Sequence, residues 1–402
     1  MALGWDDFKA VLAGERLPAA LVDLDALDRN VDRIRAAAER AGKTIRVGSK
    51  SVRHVGLLRR ILARGGAVFR GIMGFTAEEI AFLADEGFDD LLMAYPTVQP
   101  AALAMLAERA ARGRTIWAMV DTREHLEALG RAGRAAGVEM RAVAELDVSY
   151  RRAAGHVHLG VRRSPLREPR QVLELARAAA ALEGVRLAGL MAYEAHIAGF
   201  PDKSPFSPAM NRVSRVLKRL SIPDVARSRA ATVELLRREG FPLELVNGGG
   251  TGSVGSTSAE ACVSEVTVGS GFVCSHIFDY FESIDCEPAA FFALEACRIS
   301  DPGFVTCLGG GYIASGTPSW EKSPRPWLPA GLTFLPNEGA GEVQTPLAVP
   351  AGAPPIRIGD PVIFRHAKAG ELAERFTEYL LLRDGKLVAR EPTYRGNGFA
   401  FL

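Results

Sequence analysis

Long apolar runs are absent. No stretch of the 402 residues reaches the roughly 18 apolar positions that a membrane-spanning helix needs. An excess of one charge is absent too. The chain has 49 Lys and Arg against 47 Asp and Glu, a formal net charge of +2, so it lacks the concentrated basic stripe of a dedicated nucleic-acid binder. Cysteine is sparse, with five in all (Cys262, Cys274, Cys286, Cys297 and Cys307). Their odd number and the lack of any Cys-x-x-Cys pair predict reduced, buried thiols in a cytoplasmic protein. The opening Met1 to Asp7 has no basic region followed by an apolar one, so no signal peptide is expected. No repeat of fixed period and no low-complexity tract occurs, which argues against a solenoid.

What remains is ordinary globular composition, with 48% hydrophobic and 24% charged residues. Collagen-like, disordered and coiled-coil chains are excluded. Through the middle of the chain, short β-branched runs alternate with amphipathic stretches. The first amphipathic stretch has Leu27, Val31 and Ile34 at helical spacing, Asp25 as its expected N-cap and Gly42 as its stop. Thr44 to Ser49 follows as a strand. Further strands are expected near Val68, Leu91, Ile116, Val143, Leu187, Leu245 and Val266. Eight strands with helical crossovers over ~250 residues predict a (β/α)8 TIM barrel. An open doubly wound sheet is the alternative, because strand order is not written in the pattern. After about residue 285, Pro and Gly become frequent and runs such as Pro361 to Phe364 and Tyr379 to Leu382 replace helices. The expected organisation is a barrel over 25–284 and a mostly β C-terminal domain over 285–402. Residues 1–24, with a strand-like Ala19 to Leu24, are expected to join that β domain.

In a barrel, the C-terminal ends of the strands form the active-site face. Lys50 ends the first strand there, where low dielectric would lower its pKa and make it an imine-forming nucleophile. Position alone reads more simply as a solvated lysine. Asn247-Gly248-Gly249-Gly250-Thr251-Gly252-Ser253 follows a strand expected over Leu243 to Val246. Bare backbone N–H groups flanked by hydroxyls cradle phosphate; the bland alternative is a flexible surface loop. No Lys follows, so this is not a nucleotide P-loop. Gly250 to Gly255 formally fits GxGxxG, but no apolar helix has room to follow. Gly269-Ser270-Gly271 comes after the last strand, and barrels often bind phosphate with the loops after strands 7 and 8. An amine after strand 1 and a phosphate clamp after strands 7 and 8 together suit a phosphorylated aldehyde, pyridoxal phosphate.

With these residues in place, the chain resembles fold-type III pyridoxal-phosphate enzymes, the alanine racemase superfamily. The resemblance rests on Leu21 to Asn30 followed by Lys50, on Asn247 to Thr251, and on Asn337 to Ala340 with Gly359 to Val362. It is nearest the D-threonine aldolase and D-serine dehydratase branch. It implies a barrel, a β domain built from both termini, and a homodimer. Lys50 would be the imine lysine. His196, Asn247, Gly249, Gly250, Thr251, Gly269, Ser270 and Gly271 would hold the cofactor.

One position departs from the branch, which places a metal between a His and a Cys or Asp two residues on. Here the run is His366-Ala367-Lys368. A charged lysine offers no lone pair and repels a divalent ion. No metal is therefore expected, and Lys368 would take over its electrostatic role; the alternative is a metal on His366 with Glu371. His366 and Lys368 as plain solvated loop residues is the structural alternative. Tyr193 and His196 end the sixth strand, where the branch turns such residues to the cofactor; a wall aromatic beside a satisfied histidine is the other option. Tyr312 has the look of a racemase base but reads more simply as a packing tyrosine. Arg162 and Arg163 would reach the ring or a substrate carboxylate, or form a surface pair. His156 and His158 lack a third ligand for a metal site.

The resemblance implies a lyase acting on a β-hydroxy amino acid of D configuration, by retro-aldol cleavage or by dehydration with deamination. Lys50, His366, Lys368 and Tyr193 would carry the chemistry. The alternatives are an amino-acid racemase using Lys50 and Tyr312, a non-catalytic pyridoxal-phosphate carrier, and, more distantly, a nicotinamide oxidoreductase. Partners are expected to be a small amino-acid substrate and a second copy of the chain, with no nucleic acid and no membrane.

Overall fold

The alternation along the chain closes on itself. A computed structural model describes residues 3–152 and 156–402, so Met1 and Ala2, the head of the N-terminal segment, lie outside the described residues. Strands Thr44–Gly48, Phe69–Gly74, Leu91–Met93, Ile116–Val120, Met140–Glu145, Val185–Ala192, Leu245–Gly248 and Glu265–Val268 form a closed barrel. Every pairing is parallel, and the last strand returns to the first with Val266 opposite Ile45. Closure excludes the open doubly wound sheet. Strands covered by helices read as apolar runs; Ile116–Val120 is buried at every position.

The helix Leu24–Ala41 shows how local sequence sets an element. Asp23, not Asp25, caps it: its carboxylate accepts from Asp25 N at 2.9 Å and Ala26 N at 3.1 Å. Gly42, in the left-handed conformation, ends it. Leu27 and Val31 are fully buried against the barrel, each contributing roughly 1.5–3 kcal/mol by removal from water. Two other expectations shift. The seventh strand begins two residues later than expected, at Leu245, and the Gly/Ser stretch after it coils into the short helices Thr251–Ser253 and Val254–Ser258. All five cysteines are free, but only Cys274 and Cys307 are buried.

Part of the barrel interior is ionic. Arg46 is 1% exposed and bonds Glu265 and Asp90. Asn247 donates to Glu265 at 2.7 Å and to Thr267 at 2.8 Å. A buried charge demands such partners, since an unpaired one costs several kcal/mol.

The C-terminal region forms a nine-stranded sheet. Ala19–Asp23 lies inside it, antiparallel to Ala290–Arg298 and parallel to Glu378–Arg383. The first strand therefore lies in this sheet, and the chain then winds the barrel and returns to it. One apolar core runs through both parts, from Ile45 and Val47 in the barrel to Phe292, Phe364 and Leu381 in the sheet.

Candidate active site

Lys50 sits one residue into the short turn Ser49–Ser51 that ends the first barrel strand. Its side chain is exposed rather than enclosed, so the low-dielectric setting expected for it is not what the fold supplies. Its Nζ donates to Tyr95 Oη at 3.1 Å. Beyond the turn, Arg53 takes a positive φ of 49°, an uncommon conformation for a non-glycine residue that surrounding contacts must hold. Two of those contacts come from the C-terminal part and one from the turn itself. Arg53 bonds Glu374 and the Lys50 carbonyl, and its own carbonyl accepts from Tyr394 N at 3.0 Å.

Lys50 opens onto a cavity of about 270 Å³. Its lining includes Lys50, Tyr193, Asn247, Gly249, Gly250, Thr251, Gly269 and Ser270. Four named candidates lie elsewhere. Gly271 stands behind the lining and donates its N–H to Thr251 Oγ1 at 3.0 Å. His196 is buried and borders a separate cavity with Asp147 and Arg151. His366 is buried beside Arg365 and His276, and its ring nitrogens have no hydrogen-bond partner among the described residues. Burial, then Arg365 and, once protonated, His276, push its pKa down to about 3. Lys368 is half-buried and donates to the Ser315 carbonyl at 2.7 Å. Burial, then Lys322, lower its pKa, and Lys50 adds to the effect, so the two amines lie within electrostatic reach.

Residues not singled out from the sequence complete the cavity. Tyr95 ends the third strand as Lys50 ends the first, and the same strand-end rule would have found it. Ser51 Oγ lies 3.2 Å from Ser270 Oγ and brings a third hydroxyl to the glycine loops. Arg163, of the pair considered, lines the cavity and lies over the rings of Tyr95 and Tyr193; Arg162 is exposed outside it. Tyr312 packs edge-on between Phe292 and Phe376 and is no part of the lining. His158 lies on the strand Val157–Leu159 and His156 in the exposed turn before it. Burial, then the Glu194 carboxylate, push the Tyr193 phenol up to about 12. It is a neutral donor near neutral pH.

The donor set suits a phosphorylated aldehyde. One end offers a primary amine, and the loops after strands 7 and 8 bring Thr251 and Ser270 hydroxyls beside backbone held bare of side chains. Thr251 Oγ1 already accepts from Gly271 N, which leaves its proton to donate. The set does not suit a divalent ion. Glu371 is engaged by Ser315 N and Oγ, Lys368 is a cation, and no group of three His, Cys, Asp or Glu among the described residues could hold a metal.

The chain is similar to known proteins in sequence and in fold. The chain is 28% identical to a D-threonine aldolase of Arthrobacter sp over 259 residues, 64% of this chain and 61% of that protein. It is 27% identical to a 3-hydroxy-D-aspartate aldolase of Paracoccus denitrificans (strain Pd 1222) over 257 residues, 63% and 59%. These matches thus span about three fifths of each relative's length. The fold is shared with solved structures at 20% identity. One is a D-threonine aldolase from Filomicrobium marinum, with a TM-score of 0.80 over 96% of this chain and 97% of the other. Another is the D-threo-3-hydroxyaspartate dehydratase from Delftia sp. HT23, with 0.76 over 95% and 98%. Residues 22–251, more than half of the chain, match the family described as alanine racemase, N-terminal domain. That span takes in Lys50, Tyr193 and the glycine turn to Thr251, and on it the chain belongs to this family.

Proposed function

We propose that this protein is a pyridoxal-phosphate-dependent lyase that cleaves or dehydrates a β-hydroxy amino acid of D configuration. The observation that carries the proposal is a single cavity with an amine, Lys50, and the hydroxyls of Thr251, Ser270 and Ser51 around two glycine turns. The names of the relatives above support the substrate class. Pyridoxal phosphate, when bound, supplies an electron sink for a bond broken at the substrate Cα.

The chain's own residues do the rest. Lys50 would hold the aldehyde end of the cofactor through Nζ, and its amine would carry protons at the substrate amine and Cα. The Thr251 and Ser270 hydroxyls would hold the phosphate end in the space that Asn247, Gly249, Gly250 and Gly269 line, with Gly271 fixing Thr251 from behind. Arg163 offers its fork to the substrate carboxylate. Tyr193 donates a hydrogen bond without ionising. Lys368 supplies positive charge toward the β-hydroxyl, which gives up its proton in aldol cleavage and takes one up to leave as water in dehydration; His366, buried off the lining, would exchange that proton through a relay. No step runs through a metal. A homodimer and a cytoplasmic setting belong to the same proposal.

The rivals fare less well. Tyr312 is packed among aromatics, which removes the second base of a racemase from this chain's own cavity. The C-terminal part presses its Gly370 backbone on the Lys50 carbonyl, where a Cβ would fall at 1.9 Å; a barrel that merely carries cofactor has no use for that contact. The five-residue helix after the glycine turn is too short for a dinucleotide site.

The test is spectroscopic and then chemical. Purified protein loaded with cofactor should absorb near ~420 nm, with the band lost on borohydride. D-threonine, D-3-hydroxyaspartate and D-serine, with their L forms and alanine, are then screened for aldehyde, ammonia or inversion. Inversion of alanine without aldehyde or ammonia from any substrate would refute the lyase.

A further inference from the structure

We propose that Glu194 and Arg229, which do not line the cavity, are positioning residues that hold the glycine turn in shape for the cofactor's phosphate. This rests on the pyridoxal-phosphate proposal above.

Glu194 follows Tyr193 at the end of the sixth strand and is 1% exposed. Its carboxylate accepts from Gly249 N at 3.1 Å, Ser253 Oγ at 2.8 Å, Arg229 Nη2 at 2.7 Å and the Thr257 hydroxyl. Ser253 Oγ in turn accepts from Gly250 N at 3.1 Å. Two successive N–H groups of the turn are therefore tied to one carboxylate, Gly249 directly and Gly250 through Ser253. Those tethers set which way the remaining polar groups of the turn face.

Arg229 is fully buried and comes from the helix Pro208–Arg238, far along the chain from the turn it serves. It bonds Glu194, Glu260 and the Ala192 carbonyl, which ends the sixth strand. Gly248 lets it in: a Cβ there would lie 2.9 Å from Nη2 and 3.0 Å from Cζ. The first glycine of the run thus serves the guanidinium, not the phosphate. Gly249 is needed for its φ of +78°.

Buried ion clusters are weak evidence for stability, because desolvation offsets the attraction. Glu194 and Glu260 also place negative charge behind a site for an anion, and Arg229 between them compensates it. The geometric yield of the cluster is a turn arranged before the ligand arrives, which lowers the cost of binding.

The test separates phosphate binding from overall folding. Full-length protein freed of cofactor is titrated with pyridoxal phosphate and with pyridoxal, which lacks the phosphate, and the ratio of the two affinities is read. Glu194→Gln keeps the shape but loses charge, and Ser253→Ala removes the relay from Glu194 to Gly250 N while leaving the Gly249 and Arg229 bonds to Glu194 in place. Each variant should bind pyridoxal phosphate about tenfold more weakly, as loss of a hydrogen bond to a charged group implies, while pyridoxal binding stays unchanged. Ser253→Ala guards against Glu194→Gln failing to fold. A wild-type preference for the phosphorylated form that persists in the variants, or equal weakening of both ligands, would overturn this inference alone. No preference in the wild type would overturn it together with the cofactor assignment.

Discussion

A strand-end lysine acquires a role from its neighbours. Lys50 has Tyr95 at 3.1 Å and the cavity before it, and its exposed side chain contributes little to packing. Lys50→Ala should therefore abolish turnover and the ~420 nm band while leaving thermal unfolding nearly unchanged; a borohydride-fixed cofactor in that variant would place the anchor elsewhere. Lys368 is the other residue whose type decides the chemistry. Its ammonium donates to the Ser315 carbonyl and has no lone pair to offer an ion, and both Glu371 oxygens are engaged by Ser315 N and Oγ. Activity should survive exhaustive chelation, and Lys368→Ala should lower kcat about tenfold or more, the scale of a lost charge-assisted hydrogen bond. Recovery of a chelated enzyme by Mn²⁺ or Zn²⁺ alone would reverse that assignment and make His366 and Glu371 the pair to test.

At the scale of elements, His54 links a turn to proton uptake. It caps the helix Val55–Gly65, its Nδ1 accepting from Leu57 N at 3.1 Å, and only the unprotonated nitrogen can accept. Burial pushes its pKa from 6.5 down to about 4. Between those values unfolding takes up a proton, so the stability from this group is complete above pH 6.5 and is lost as pH falls through 4. The span corresponds to at most about 3 kcal/mol. His54→Asn keeps a capping oxygen without titrating, and its chemical-denaturation stability should fall less steeply between pH 6.5 and 4 than the wild type's. Parallel slopes would show that His54 does not set this dependence. The glycine turn makes a related point. Its composition announced a phosphate loop, but Gly248 and Gly249 meet demands from Arg229 and from the backbone, which no count of glycines distinguishes.

The whole molecule is joined through its core. Val22 and Leu24 at the start, Ile45 and Val47 in the barrel, and Phe292 and Leu381 in the sheet belong to one buried cluster. Arg29 and Asn30 also reach across to Glu287. A fragment of residues 25–284 produced alone would expose that apolar surface. It should lack the sharp cooperative melt of the full chain in circular dichroism; an equally sharp transition would show that the barrel is independent. The C-terminal residues Phe399 and Phe401 extend the same union by packing on Phe82 and Phe75.

What the sequence determined by itself was whatever short-range pattern encodes. The eight barrel strands were legible from apolar runs, all but the last pair separated by a helical stretch, and Lys50, Tyr193 and the two glycine turns stood out by their places at strand ends. Helix ends were legible to within a residue or two, so Asp25 was taken for Asp23. Only the tertiary structure decided barrel over open sheet, because closure depends on Glu265–Val268 pairing with Thr44–Gly48, a contact between distant residues. Tertiary contacts alone also brought Arg163 to the cavity, set His196 and His366 outside its lining, and drove Arg229 under the glycine turn. The physical reason is common to all of these. A residue's type and spacing set its local geometry, whereas its partners depend on which distant surfaces are buried together.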